Sequence, residues 1–414
     1  MAIEKRTWKN ADGSLGTSWR VTIGSGRNRE TATFERKKEA DDYVASAKVN
    51  IKKGIHLAPS KSPTVKEAGK SWIEACEANN LEQTTIDAYQ NHLDLHIYPY
   101  LGEFKLASLT IAVVRQWQDD LKTGKPAPGT EAAERRSADM VKRCTGSLGA
   151  LLADAMERGH VAQNVVRNLK ANRRRGKERQ AERRIKGKLV VGVDIPTPEE
   201  IKAILAVAEE DRTLLLVFIR CGLRSSEIRG LRWSDIDLDR ALLHVRQRAD
   251  RYNAIGAPKS EAGDRSIPIP PSTLAALREW KLRCPRRANG ELHYVFPNGA
   301  GNVENRGNIV NRRWHPVQVR AGVTVPVLDV KGKQVRGPDG KRIVAAKYTG
   351  LHALRHYFAS WCINPPPAGL GLPPKAVQER LGHSSITMTM DTYGHLFPRG
   401  NESDALAAAE SEYG

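Results

Sequence analysis

The sequence predicts a multidomain α+β protein: an N-terminal three-stranded sheet plus helix, an all-α bundle, and a mainly α domain that carries a small β-sheet. First, the chain has 414 residues, more than one average domain and enough for two or three, each able to bury a core. Second, the hydrophobic period changes along it, from short β-favouring pieces to helical spacing and then to a mixed pattern. Third, residues 170–188 are almost wholly polar and can pack no core. These shifts place domains at 1–58, 63–170 and 195–400, with a linker at 171–194 and a tail at 401–414.

The strand signals come first. Arg6-Thr7-Trp8, Ser18 to Ile23 and Glu30 to Phe34 are β-favouring, and Asp12-Gly13-Ser14 and Gly24-Ser25-Gly26 are turn sequences between them. A helix is expected from about Arg36 to Lys52, with Ala40, Tyr43, Val44 and Val49 as its apolar stripe. The sheet carries Arg20, Arg27 and Arg29, and a basic β-ribbon is able to enter a DNA groove; a solvated sheet face would look the same.

Past the Pro59 to Pro63 linker, apolar residues recur at helical spacing in Trp72, Ile73 and Cys76, in Ile86, Tyr89 and Leu93, and in Val141, Leu148, Leu151 and Leu152. Asn80, Thr84 and Thr110 are N-cap or turn candidates. A bundle of four or five helices is expected. The polar stretch that follows holds Arg173, Arg174 and Arg175, and such a linker either tracks phosphates or is simply solvated.

From Thr197 the elements mix. Pro198-Glu199-Glu200 opens a helix, and Leu214 to Ile219 is a buried helix running into Gly222-Leu223-Arg224, with Ser225 or Ser226 as cap of the next helix. Arg224 therefore falls at a helix junction, where its guanidinium can be aimed. Leu242 to Val245 and Arg265 to Ile269 read as strands bracketing Pro258-Lys259-Ser260, so Lys259 sits where a hairpin lysine can reach into a cleft. In so basic a chain, a solvated Lys259 is the plainer reading.

Composition narrows the function classes. The chain has 66 Lys and Arg against 47 Asp and Glu, a formal +19, with a pI near 9.8. Such a balance points to a polyanion, nucleic acid first, although a generally basic soluble surface gives the same totals. Cys76, Cys144, Cys221, Cys284 and Cys362 lie far apart with no Cys-x-x-Cys pair, which argues against a disulfide framework or a zinc site. No run approaches the roughly 20 apolar residues that span a bilayer, and the first residues lack a signal-peptide core, so a cytoplasmic, nucleoid-associated protein away from membranes is expected.

Near the C-terminus stand His352-Ala353-Leu354-Arg355-His356, then Leu381-Gly382-His383, then Asp391-Thr392-Tyr393-Gly394. A tyrosine behind two histidine clusters and an arginine looks like a nucleophile for a DNA phosphodiester. Arginine and histidine hold the charge of a pentacoordinate phosphorus without a metal, and a phenol can form the covalent intermediate. With an ordinary phenol pKa of about 10 it needs a neighbouring base and positive charge. His352 and Arg355, three apart on a helix, share a face and can grip one phosphate; His356 reads equally well as a satisfied surface residue.

Over roughly residues 195 to 398 the chain resembles the catalytic domain of tyrosine recombinases, the phage integrase family. The likeness rests on Gly222-Leu223-Arg224-Ser225-Ser226-Glu227 with Leu231-Arg232-Trp233-Ser234-Asp235, on Pro258-Lys259-Ser260 before Arg265-Ser266-Ile267-Pro268-Ile269, on the His352 to His356 motif, on Leu381-Gly382-His383-Ser384-Ser385, and on Asp391-Thr392-Tyr393-Gly394-His395, in the family's order. The helical region 65–169, with Asn164 five residues past Gly159, is similar to the family's core-binding domain, and the N-terminal sheet plus helix resembles an arm-type DNA-binding domain.

The resemblance implies roles. Arg224 and Arg355 bind the nonbridging oxygens, Tyr393 attacks to leave a 3′-phosphotyrosine and a free 5′-hydroxyl, and Lys259 is the general acid for the leaving oxygen. His352 helps move the tyrosine proton, His383 hydrogen-bonds the phosphate, and Glu227 orients the site. No cofactor and no metal enter, and the phosphotyrosine conserves the energy for rejoining. The implied partners are double-stranded DNA attachment sites, other copies of the chain in a homotetramer on DNA, an excision factor and a DNA-bending protein. Two departures stand out: an added hairpin with a Gly-Pro-Asp-Gly turn within 323–347, and a longer loop at Asn364 to Gly371. A chromosome-dimer resolvase of the same family, a type IB topoisomerase and a non-catalytic DNA-binding regulator are the rival readings.

Overall fold

The computed structural model describes residues 1–9, 12–23, 30–52, 62–131, 133–169, 188–398 and 410, with side chains at 30, 46 and 49–52 left aside. They form two units, Met1–Arg174 and Arg175–Gly414. Arg27, Arg29, Arg173, Arg174 and Arg175, most of the expected linker and nearly all of the tail lie outside the described residues.

The first unit holds two separate apolar clusters. One belongs to an antiparallel sheet of β1 (Ala2–Lys9), β2 (Leu15–Ile23) and β3 (Glu30–Phe34), in that order, with helix α1 (Lys37–Lys52). Val21 and Ile23 of β2 pack with Ala40 and Ala47 of α1. Strand alternation therefore turns Arg20, between Val21 and Trp19, to the opposite face. The expected sheet and helix are present; Ala47 joins Ala40, Tyr43 and Val44 in the helix stripe, while the Val49 side chain is not described.

The second cluster is the bundle. Helix α2 (Val65–Ala78) starts from a Thr64 and Glu67 capping box. Helix α3 (Gln83–His92) passes through a π-helical turn, Leu93–Ile97, into α4 (Tyr98–Leu101). The widened turn frees the His96 carbonyl, which accepts from Trp117 Nε1 at 2.8 Å, and Pro99 just beyond needs no amide partner. Helices α5 (Ile111–Thr123) and α6 (Ala138–Glu157) complete it, capped by Thr110 and Ser137. Of the expected cap positions Thr110 caps, Asn80 takes a turn at φ 54°, and Thr84 lies inside α3, because the chain already turns helical after Glu82. Asn164 donates to the Gly149 carbonyl at 2.7 Å and accepts from Val166 N–H, tying the end of the bundle to α6.

In the second unit, α7 (Pro198–Ala206) opens on a Thr197 and Glu200 capping box, and α8 (Arg212–Cys221) is buried over most of its length. Helix α9 (Ser225–Gly230) follows Arg224. Strands β4 (Ile236–Asp237), β5 (Leu242–Val245) and β8 (Arg265–Pro268) make an antiparallel sheet, and β6 (Arg248–Ala249) with β7 (Ile255–Gly256) a small hairpin between β5 and β8. Helices α10 (Pro271–Arg283), α11 (His315–Arg320), α12 (His352–Ile363), α13 (Pro374–Leu381) and α14 (Ile386–Tyr393) build the rest. The added segment is a hairpin of β9 (Thr324–Pro326) and β10 (Val344–Ala346), and Gly340 N–H closes the Gly-Pro-Asp-Gly turn on the Gly337 carbonyl at 3.0 Å. No described helix is long and apolar enough to cross a membrane.

Candidate active site

Two helix ends and one helix face converge. Helix α8 stops at Gly222, whose φ of 62° is the left-handed value that glycine takes without strain, and the chain then runs extended through Arg224 into α9. A Cβ on Gly222 would run into the Phe358 ring, so glycine is needed for space as well. Helix α13 ends the same way, at Gly382 with φ 62°, delivering His383. Neither Ser225 nor Ser226 caps α9, contrary to expectation. They are its first two residues, and the backbone N–H of Arg224 is instead taken by the Glu227 carboxylate at 2.8 Å.

The two arginines are held crosswise. Arg355 of α12, 2 % exposed, donates from Nη1 to the Gly222 carbonyl at 2.6 Å and from Nη2 to the Leu381 carbonyl. Arg224 donates from Nη2 to the Gly382 carbonyl at 3.0 Å and from Nη1 to Glu227 Oε1 at 2.6 Å. Each guanidinium is thus seated on the chain that delivers another site residue. Burial, with Arg224 next, presses the Arg355 pKa down to about 9, which leaves it a cation at neutral pH.

Glu227 is almost fully buried and serves two cations. Arg265, which the sequence reading left in a strand, donates to it from Nη2 at 2.9 Å and from Nη1 at 3.2 Å, and fixes itself through Nε on the Arg380 carbonyl. Burial alone would raise the Glu227 pKa, but Arg265, ahead of Arg224 and Arg355, outweighs it and brings it to about 2.

Tyr393 ends α14, is 1 % exposed and packs with Phe358, Val377 and Leu381. Burial lifts its pKa to about 12, against the pull of Arg355 and Arg224. Its hydroxyl lies 2.8 Å from Nδ1 of His356, the histidine whose role the sequence left open. His352 packs edge-on against His356, with ring centroids 4.6 Å apart, and the His383 ring is parallel to the phenol at 6.4 Å. His383 Nδ1 is hydrogen-bonded with Thr389 Oγ1 at 2.9 Å, which leaves Nε2 as the nitrogen able to meet a ligand. Burial first, then the surrounding arginines, lowers the pKa of His383 to about 4; His356 is brought to about 4 by burial, His352 and Arg355. The exposed His352 is lowered too, by the protein packed round it and then by Arg355.

The structure therefore brings Arg224, Glu227, His352, Arg355, His383 and Tyr393 into one cluster and adds Arg265 and His356. Lys259 stands apart, exposed in the segment between β7 and β8, with no hydrogen-bond or ion-pair partner among the described residues. The signal for His356 was available in part, since positions 352 and 356 are i and i+4 on one helix face. Among the described residues no group of three or more His, Cys, Asp or Glu is arranged to hold a metal ion, and all five cysteines are free and buried.

Comparison with known proteins places the chain in a family. The model of the phage integrase family matches residues 196–399, and that of the phage integrase N-terminal SAM-like domain matches residues 64–122. The tyrosine recombinase XerC of Xylella fastidiosa is 32% identical over 269 residues, covering 64% of this chain and 74% of that protein. A XerC-like tyrosine recombinase of Caldanaerobacter subterraneus is 23% identical over 410 residues, covering 92% of this chain and 93% of its own. Among solved structures, the Tn1549 transposon integrase in complex with transposon right end DNA has the same fold, with a TM-score of 0.57 at 19% identity over 85% of this chain and 100% of that one. Sequence order, fold and kinship agree, and the chain belongs to the phage integrase family, the tyrosine recombinases.

Proposed function

We propose that this protein is a site-specific DNA recombinase of the integrase kind, which cleaves and rejoins DNA through a 3′-phosphotyrosine on Tyr393 and so integrates and excises a prophage or other mobile element. The crosswise seating of Arg224 and Arg355 carries the reading. It fixes two guanidiniums before DNA arrives, the preorganisation that stabilises a pentacoordinate phosphorane. His383 donates to the same phosphate through Nε2, His352 takes part in moving the tyrosine proton, Glu227 aligns Arg224, and Lys259 closes in to protonate the leaving 5′-oxygen. An exposed lysine without a partner among the described residues is free to make that approach.

In this reading residues 1–58 contact arm-type DNA through Arg20, Arg27 and Arg29, 63–170 and 195–400 hold the crossover site, and the linker arginines Arg173, Arg174 and Arg175 follow phosphates. Each chain offers one Tyr393 and a complete exchange breaks four strands, so the working assembly is a homotetramer on two double-stranded attachment sites, helped by an excision factor and a DNA-bending protein. It works in the cytoplasm, at the nucleoid. A suicide DNA carrying the site should trap wild-type protein at the 3′ end, and the same adduct from Tyr393→Phe would remove the basis of this reading. The XerC likeness favours a second reading, chromosome-dimer resolution; integration left unimpaired by deletion of residues 1–58 would select it.

A further inference from the structure

Among the described residues the phenol of Tyr393 has one hydrogen-bond partner, and it is not the histidine of the His-x-x-Arg pair. We infer that His356 is a further catalytic residue, the base that takes the Tyr393 proton as the phenol oxygen attacks phosphorus. The inference rests on the proposed recombinase chemistry and deepens it.

Geometry carries the argument. Nδ1 of His356 lies 2.8 Å from Tyr393 Oη, within the range a general base needs. His352 packs against the His356 ring, centroids 4.6 Å apart and nearly perpendicular, whereas the hydrogen bond to the phenol oxygen is made by His356. The two histidines sit one helical turn apart on α12, and Tyr393 ends α14, so the pair approaches the phenol from one direction while His383 stacks along the phenol ring. His356 is also in the right state. Burial, His352 and Arg355 disfavour its cation, with Asp194 pulling the other way, so at neutral pH the ring is neutral and the Nε2–H tautomer presents a lone pair to the phenol. A buried phenol with a raised pKa does not ionise in advance, so its proton must leave as the new bond forms.

The step balances. The Oη–P bond forms and the P–O5′ bond breaks; the phenol proton moves to His356 Nδ1, and the departing 5′-oxygen takes one from Lys259. On rejoining, the 5′-hydroxyl returns its proton to Lys259 and the imidazolium returns its own to the phenol oxygen. No electron is gained or lost, and no other reactant is needed.

The test uses the full chain and a suicide DNA carrying its site, with single-turnover rates of covalent adduct formation. His356→Asn keeps a hydrogen-bonding atom near the Nδ1 position but cannot accept a proton. The expected outcome is an adduct still on Tyr393, formed about 100-fold or more slowly in both His356→Asn and His356→Ala, with site binding in a gel shift unchanged. A 5′-bridging phosphorothiolate, whose leaving group needs no acid, should rescue Lys259→Ala and leave His356→Asn slow. Wild-type rate in His356→Asn beside a normal Tyr393 adduct overturns the inference and spares the recombinase reading, as does rescue by the phosphorothiolate. Absence of any adduct from the wild-type protein overturns both.

Discussion

Arg224 and Gly382 are 158 residues apart in the chain, yet the guanidinium of the first donates to the carbonyl of the second at 3.0 Å. The bond depends on glycine. At φ 62° a side chain is strained, and a Cβ would meet the Ala262 carbonyl at 2.8 Å and Arg265 Nη1 at 2.9 Å. Gly382→Ala should cost about 1–2 kcal/mol or more in urea unfolding of the full chain. It should slow adduct formation beyond what that loss explains, because Arg224 loses its seat. A variant with wild-type cleavage would show that the carbonyl does not hold the arginine.

Glu227 makes stability depend on acid. Its pKa in the fold is about 2 against an ordinary 4.5, so the unfolded chain binds the proton more readily. The contribution is complete above about pH 4.5 and is lost as pH falls towards 2. It amounts to on the order of 3 kcal/mol, and Glu227→Gln should abolish that part of the pH dependence. Urea midpoints of the two proteins between pH 5 and 2 measure it; parallel curves would contradict the assignment.

The buried histidines act in a higher window. His356 and His383 are both brought from 6.5 to about 4, so between those values the unfolded state takes up protons that the folded state refuses. Stability is full above pH 6.5 and declines on the way down to 4. Replacing His383 with Asn should flatten the decline between pH 6.5 and 4 in a thermal-melt series, and an unchanged slope would count against a neutral, buried His383.

Lys259 offers the opposite combination. Because it is exposed and has no partner among the described residues, Lys259→Ala should change stability by less than about 0.5 kcal/mol. As the proposed acid, its loss should slow cleavage of ordinary DNA by about 10²–10⁴-fold. Melting temperature and single-turnover cleavage on one preparation separate these effects, and equal cleavage would remove Lys259 from the mechanism.

Arg20 tests the sheet. It projects from the face of β2 opposite the helix-packed one, so Arg20→Ala should leave the fold intact, weaken arm-DNA binding and reduce the slope of log affinity against log salt by about 1. An unchanged slope would assign that face to solvent.

The sequence disclosed what is local. Helical spacing marked α2, α3 and α6, turn residues marked the N-terminal sheet, and the order of short motifs marked Arg224, Arg355, His383 and Tyr393 as a set. What stayed hidden depends on contacts between distant segments. His356 gains its meaning only from Tyr393, 37 residues on, and Arg265 only from Glu227, 38 residues back. The cap of α9 was misassigned because serine is a common cap, whereas here Glu227 reaches back to the arginine's own backbone and makes a hydroxyl unnecessary. The Trp117 indole that takes the carbonyl freed by the π turn after α3 comes from another helix, so the sequence did not disclose that contact.

The seating of the arginines bears on how freely the chain can change. Gly222, Leu381 and Gly382 grip the guanidiniums with main-chain carbonyls, and every residue type supplies a carbonyl. Leu381 can thus be exchanged for any side chain that still fills the core without altering the contact it makes to Arg355. Of these three positions variation is closed only at the two glycines, where the path of the backbone itself is at stake. In a saturation library, tolerance at positions 222, 381 and 382 should follow helix-end geometry rather than side-chain chemistry.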